Sequence, residues 1–422
     1  MIFTTRDKEN QRCPQAARPQ YWLHRLLLIG GLVLSLVAAS TAWINVNPDT
    51  ILMLVDLARA HYGSQFVAQI ETIAFSAQDR LHQMQYQLTQ ATPTTAWAGE
   101  AVQQLSAASP APSAATRVTL PHTGVGVAPS TTIVPTTLSN TGPGAAPEQA
   151  DSSALPLTLS WSPYVVAADG TLLLERTLVT PDPGRPYVRT ALVRIDLAHT
   201  QLHLVVGTME PVSNIKQARP GTIPAAVLRS NTLLAAFNGG FKAANGQYGM
   251  ASNGIAWLAA QPGLATLALY RDGTVRLGVW GQDMQASADM VAFRQNCPLL
   301  LDHATLTSEA ENPTTALWGA TVGNKVATWR SGLGMSADGR FLIYAVGDGL
   351  TVTSLAEALR QGGADRAMQL DINSFWTRFV TFRQQANQMP QAQKLLDAMQ
   401  GDRQQFVAPD SRDFFYVTSK AW

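Results

Sequence analysis

The chain has 422 residues, a formal net charge of +1, and only 14% charged against 46% hydrophobic residues, where about 25% charged is usual. That length allows one large or two ordinary domains with accessory segments. The near-neutral balance, with no long basic or acidic run beyond the N-terminal tail, excludes the usual electrostatic footprint of nucleic-acid binding, so no nucleic-acid partner is expected.

Residues 1–25 form a basic tail in which Arg6, Lys8, Arg12, Arg18 and Arg25 outnumber Asp7 and Glu9. The stretch that follows, 26–44, is uncharged and apolar on every face. It is long enough for a transmembrane helix, which needs roughly 20 residues. The charge asymmetry predicts a single-pass anchor with the N-terminus cytoplasmic and the remainder extracytoplasmic. Tyr21, Trp22 and Trp43 suit interfacial anchors. A cleaved signal peptide, with small residues at 38–42 serving the peptidase, is the alternative and has the same destination. Cys13 and Cys297 then lie on opposite sides of the membrane and are not expected to pair.

Residues 45–90 show helical spacing, with Ile51, Leu54, Val55 and Ala58 and then Phe66, Ile70 and Ile73, which predicts a helical membrane-proximal segment. It reads as a spacer or packing element, with self-association as the alternative. Residues 91–156 are rich in Ala, Ser, Thr and Pro and nearly uncharged. Such a composition buries too little apolar area to offset chain entropy, so a disordered or extended linker is expected.

Residues 157–422 read as the folded head. Asp169-Gly170, Asp272-Gly273 and Asp338-Gly339 each separate runs of alternating apolar residues, the signature of β-hairpins. Further strands are expected at 191–197 and 202–206. Residues 354–361 read as a helix with Ser354 and Glu357 as a capping box and Gly362-Gly363 as its stop. These elements predict an α+β head: a mixed, largely antiparallel sheet with flanking helices. His199, His203 and His303 are scattered singly and HExxH spacing is absent, so no metal site and no cofactor are expected.

Three segments gather polar residues and glycine at strand ends. In 234–253 an apolar strand runs into Asn238, Gly239, Gly240 and Phe241. Paired glycines let backbone amides approach a ligand and Asn238 offers donor and acceptor, although a tight turn with a left-handed Asn explains the pattern equally well. In 328–345 Arg330 precedes a Ser-Gly-Leu-Gly run and is placed to grip an anion or to pair with a nearby acid. In 364–379 a buried strand at 367–370 delivers Asp371 and Asn373 to its end, where Asp371 either serves at an anomeric centre or caps a turn. The ending 412–416, Arg-Asp-Phe-Phe-Tyr, reads as a closing strand rather than a site.

Together these segments resemble the phosphodiester glycosidase domain family, through Phe237 to Phe241, Arg330 to Val346, and Leu355 to Asp371. The resemblance implies an extracytoplasmic hydrolase of sugar-1-phosphodiester linkages in cell-surface glycans, with a glycan phosphodiester as partner. It implies Asp371 and Arg330 as catalytic, and Asn238, Gly239, Gly240 and Asn373 as substrate-binding residues. The sequence departs from the family after Asp371, where Ile372, Asn373, Ser374, Phe375 and Trp376 replace a glycine-rich loop. Those bulky residues narrow or reshape the cleft. The alternatives are a non-catalytic glycan-binding or exopolysaccharide-assembly module and a structural surface protein.

Overall fold

A computed structural model of the chain describes residues 80, 83–89, 97, 102–105, 159–318, 327–384, 389–399 and 405–420. The expected tail 1–25 and transmembrane segment 26–44, together with most of the segments 45–90 and 91–156, lie outside the described residues. Among the described residues no helix is long and apolar enough to cross a membrane.

The head is mostly β-sheet with few helices. Seven elements build the site, and we number them in chain order: β1 (Leu233–Asn238), β2 (Met290–Gln295), β3 (Thr328–Met335), β4 (Phe341–Leu350), α1 (Val352–Gln361), β5 (Arg366–Ile372) and β6 (Phe414–Ser419). One nine-stranded sheet has β4, β3 and β5 side by side near its middle. A five-stranded sheet carries β1 between Phe379–Arg383 and β6, with Thr200–Val205 at its edge. A second five-stranded sheet carries β2 beside Ala265–Tyr270 and Met250–Ser252. The ladders are antiparallel, apart from Gln103–Gln104, which runs parallel to Ser162–Val166. This short strand lies within the segment read as linker, so at least that part of it is laid against the head.

All three expected hairpins form, and for one reason. Gly170, Gly273 and Gly339 take positive φ of 91°, 85° and 70°, which costs glycine little. The preceding aspartates fix each turn by accepting from the amides of Thr171, Thr274 and Arg340 at 2.9, 2.8 and 3.0 Å. Helix α1 starts earlier than its sequence suggests. Thr351 is the N-cap and Ser354 its capping-box partner, while Glu357 instead pairs with Arg360 at 2.8 Å.

The nine-stranded sheet is covered on both faces. Leu174, Val193, Leu333, Tyr344, Met368 and Leu370 pack toward the two five-stranded sheets, against Phe237, Phe415, Val417 and Leu267. On the other face Leu192, Ile343, Ala345 and Ala367 pack with Leu355, Ala356 and Leu359 of α1. The glycines of the Ser-Gly-Leu-Gly run belong to this second contact: a Cβ on Gly332 would come 3.1 Å from Leu359 Cδ1, and one on Gly334 would come 2.4 Å from Ala364 Cβ. Alternation along β3 therefore assigns Arg330, Gly332 and Gly334 to the helix face, and Ser331 and Leu333 to the opposite one.

Candidate active site

Asp371 sits near the end of β5, where the register with β3 shifts: Gly332 faces Gln369 while Arg330 faces Ile372. Three residues of β5 thus span two of β3, a bulge of the kind that re-aims a side chain. It turns Asp371 toward the five-stranded sheet. The Asp371 carbonyl accepts from Ser331 Oγ at 2.9 Å, its amide donates to the Gly239 carbonyl at 3.1 Å, and its Oδ1 accepts from the Ile372 amide at 2.9 Å. Its Oδ2 meets Arg412 Nη2 in a short, buried ion pair. Arg412 also donates to the Gly240 carbonyl at 2.8 Å. Its Nε is buried and has no hydrogen-bond partner among the described residues.

Burial raises the Asp371 pKa above the ordinary 3.8, and Arg412 and the Ile372 amide oppose that shift. The carboxylate is thus held by one cation in a poorly solvated place, as catalytic carboxylates commonly are.

Beneath it lies a second buried pair. Arg294, from β2, donates to Asp413 through Nε at 2.8 Å and Nη2 at 3.2 Å, and to the carbonyls of Phe241 and Gln295 at 2.7 Å each. The paired glycines exist for this contact: a Cβ on Gly239 would fall 1.9 Å from Asp413 Oδ2, and one on Gly240 would fall 3.0 Å from Arg294 Cζ. Their amides bond to Asp413, at 3.0 Å to its carbonyl and 3.3 Å to Oδ2. The two glycines therefore shape the wall of the site and hold its support.

Asn238 is fully engaged. Its side-chain amide donates to the Gly239 carbonyl and Ser331 Oγ at 2.9 and 3.0 Å, and its oxygen accepts from the Tyr344 hydroxyl and the Arg378 amide at 2.9 and 3.0 Å. It ties three strands together directly behind Asp371. Asn373 has a positive φ of 71° and accepts from the Phe375 amide at 3.2 Å. It begins the turn that presents Trp376. That indole roofs the cleft, with Arg412 Cζ 4.7 Å, Lys242 Nζ 5.4 Å and Arg378 Cζ 5.6 Å from the ring centroid. Arg378 is in turn paired with Asp410 at 3.0 Å. These groups leave only a narrow cleft between them.

The structure thus brings Asp371, Asn238, Gly239 and Gly240 together and sets Asn373 at the neighbouring turn. It does not bring Arg330 to them. Its guanidinium points into the helix-side core, donating to the Leu350 carbonyl at 3.0 Å and Gln369 Oε1 at 2.7 Å. Burial lowers its pKa to about 10. The cation beside Asp371 is Arg412, from the ending read as a closing strand rather than a site. A sequence signal for this pairing was present: Arg294 within Met-Val-Ala-Phe-Arg-Gln and Arg412-Asp413 before Phe-Phe-Tyr-Val are charges in apolar strands, which fold only with partners. Among the described residues no group of three or more His, Cys, Asp or Glu is arranged to hold a metal ion.

Residues 231–372 match the phosphodiester glycosidase family model. No curated protein matches the chain. Among solved structures, the catalytic domain of zebrafish N-acetylglucosamine-1-phosphodiester alpha-N-acetylglucosaminidase, auto-inhibited by pro-peptide, aligns at 18% identity and TM-score 0.38, over 59% of this chain and 84% of that one. A hypothetical protein from Synechocystis aligns at 13% identity and TM-score 0.33, over 59% of this chain and 63% of that one. Asp371, Asn238 and the two glycines fall inside the matched segment and Arg412 and Trp376 outside it, so the likeness to the phosphodiester glycosidase family extends over 231–372 and does not include the cation beside Asp371.

Proposed function

We propose that the chain is an extracytoplasmic hydrolase of sugar-1-phosphodiester linkages in cell-surface glycans, held at the membrane by residues 26–44. The observation that carries this reading is the buried Asp371 carboxylate beside the partly unsatisfied guanidinium of Arg412, within and next to the family-matched segment. The phosphate leaving group of such a substrate is already acidic and needs little protonation. One carboxylate at the anomeric carbon and one cation on the phosphate then suffice, where ordinary glycosidases use an acid and a base. In this reading Asp371 stabilises or attacks the oxocarbenium-like centre, and Arg412 takes over the phosphate as it releases the carboxylate. Asn238 holds the Asp371 loop in place, Asn373 positions Trp376, and Arg330 supports β3 and β5 from behind.

The test is hydrolysis of sugar-1-phosphodiesters by the full chain beside Asp371→Asn and Arg412→Ala. Loss of turnover in both supports the reading, and equal turnover by all three overturns it. One observation favours the second reading, a non-catalytic glycan-binding module: Trp376 lies over Arg412 and leaves little room. Phosphodiester binding without turnover, unchanged by Asp371→Asn, is the result that reading requires. The outward topology is tested separately, by protease accessibility of the head in intact cells.

A further inference from the structure

Beside the cleft runs a loop, residues 207–221, that the chemistry above does not use. It is laid along the strand end that delivers Arg412: the amide of Thr208 donates to the Asp410 carbonyl at 2.9 Å, and those of Met209 and Glu210 donate to the Ser411 carbonyl at 3.2 and 2.9 Å. Glu210 Oε2 accepts from the amides of Val212 and Ala243 at 3.2 and 3.0 Å, which ties the loop to the residue following Lys242. Arg219 closes it from within by donating to the Pro211 carbonyl at 2.7 Å, with its guanidinium over Trp257.

A loop so firmly held has no need of exposed apolar side chains, yet Met209 is 69%, Val212 65% and Ile215 39% exposed. Other exposed large apolar residues of the head, Leu172 and Met389, are single, as is normal for a surface. Three within residues 209–215 of one loop are a local concentration of exposed apolar side chains, the kind of feature that marks contact surfaces. Its charge is one-sided. Glu210 and Arg219 are half-buried and engaged, so the exposed charge of the loop is Lys216. Lys242 borders the adjoining cleft, its Nζ 5.4 Å from the Trp376 ring centroid, while Arg378 there is paired with Asp410. Apolar side chains on a loop whose one exposed charge is a lysine, with Lys242 nearby, are the chemistry that recognises an anionic lipid surface.

We propose that Met209, Val212 and Ile215 insert at the interface of an anionic bilayer, and that the cleft beside them thereby faces phosphodiesters carried by that bilayer. Its substrate class is then a sugar-1-phosphodiester whose leaving group is the phosphate monoester of a lipidic alcohol. The docking stands on the loop alone, while the substrate class rests on the hydrolase reading.

The experiment uses the full chain in a Cys13→Ser background with an environment-sensitive fluorophore at Ile215→Cys, Cys297 being buried and unlabelled. Asp338→Cys, at the far end of the β3–β4 hairpin, is the control. The protein is reconstituted into mixed phosphatidylcholine and phosphatidylglycerol vesicles containing spin-labelled lipid. The expected result is blue-shifted, quenched emission at position 215 and unquenched emission at 338. Quenching should fall several-fold on adding Met209→Asp with Val212→Asp, or in phosphatidylcholine alone. Equal emission at the two positions overturns the docking. A blue shift that needs no vesicles and grows with protein concentration also overturns it, and assigns the loop to a contact between copies. A second arm compares a sugar-1-phosphodiester of a long-chain alcohol in vesicles with the soluble methyl analogue. The double Asp variant should lose turnover of the first and keep that of the second, and equal loss on both overturns the lipid substrate class. Absence of turnover on both in the parent chain defeats the hydrolase reading, while the fluorescence still decides the docking.

Discussion

At Asp371, desolvation and charge act against each other. Burial favours the neutral acid, whereas Arg412 and the Ile372 amide favour the carboxylate, and the balance lies above the usual 3.8. If the carboxylate is the working form, activity is lost as pH falls through that raised value. The acid limb of kcat/KM should therefore lie above pH 3.8, the ordinary aspartate value. Arg412→Ala removes the leading cation and should move any residual limb to still higher pH. A pH–rate profile of both proteins checks this, and an unmoved limb would separate Arg412 from the titration of Asp371. Asp371→Asn should abolish turnover; the amide retains the acceptor for Ile372 but leaves buried Arg412 without its counter-ion, so the thermal midpoint should also fall.

The element that frames the site is the strand end at Phe237 to Phe241, and its glycines are steric requirements. Gly239→Ala would drive a methyl into Asp413. The expected result is a separation of Asp413 from Arg294 and a clear fall in the urea midpoint, together with loss of activity. The buried pair itself has side chains that are 1% and 0% exposed. Removing one partner leaves the other charge uncompensated, which costs about 3–5 kcal/mol. Asp413→Ala measured by urea denaturation should show a loss of that order, and a loss below about 1 kcal/mol would mean that water replaces the pair. Arg330→Ala belongs to the same scale. Orphaning the Leu350 carbonyl and Gln369 should lower stability in the core beneath α1, with substrate KM following only as stability does.

Across the whole molecule, the head reaches further toward the N-terminus than composition suggests. The Trp97 ring lies 4.6 Å from the Arg176 guanidinium, which also lies 4.2 Å from the Tyr164 ring. Leu105 donates to the Val166 carbonyl at 2.9 Å. A head truncated at residue 157 should therefore melt below the full chain, and Trp97→Ala should reproduce part of that loss. At the sheet edge, burial lowers the His203 pKa to about 4, and the ring stacks on Tyr416 at 4.4 Å. The unfolded chain takes up this proton near the unperturbed 6.5 and the folded chain does not. Stability from His203 is thus full above pH 6.5 and is lost as pH falls toward 4. His203→Phe should flatten that part of the stability profile.

The turns were legible because their causes are local. An Asp-Gly pair between alternating strands needs only a carboxylate one residue away and a glycine at positive φ, and all three hairpins follow from such pairs. The strand around 367–370 and the helix stop at Gly362-Gly363 were readable for the same reason, as was the placement of Asp371 at a strand end. Arg330 and Arg412 were not separable in that way. Both are arginines at the start or end of apolar strands, and which one meets Asp371 depends on a one-residue bulge between β3 and β5 and on the pairing of β6 with β1, 176 residues earlier by the register Phe414 to Asn238. A bulge reverses the face of every side chain beyond it, and that reversal arises only when strands distant in sequence are set side by side. The same holds for Gly239 and Gly240, whose missing Cβ atoms make room for a carboxylate and a guanidinium brought in by two other strands.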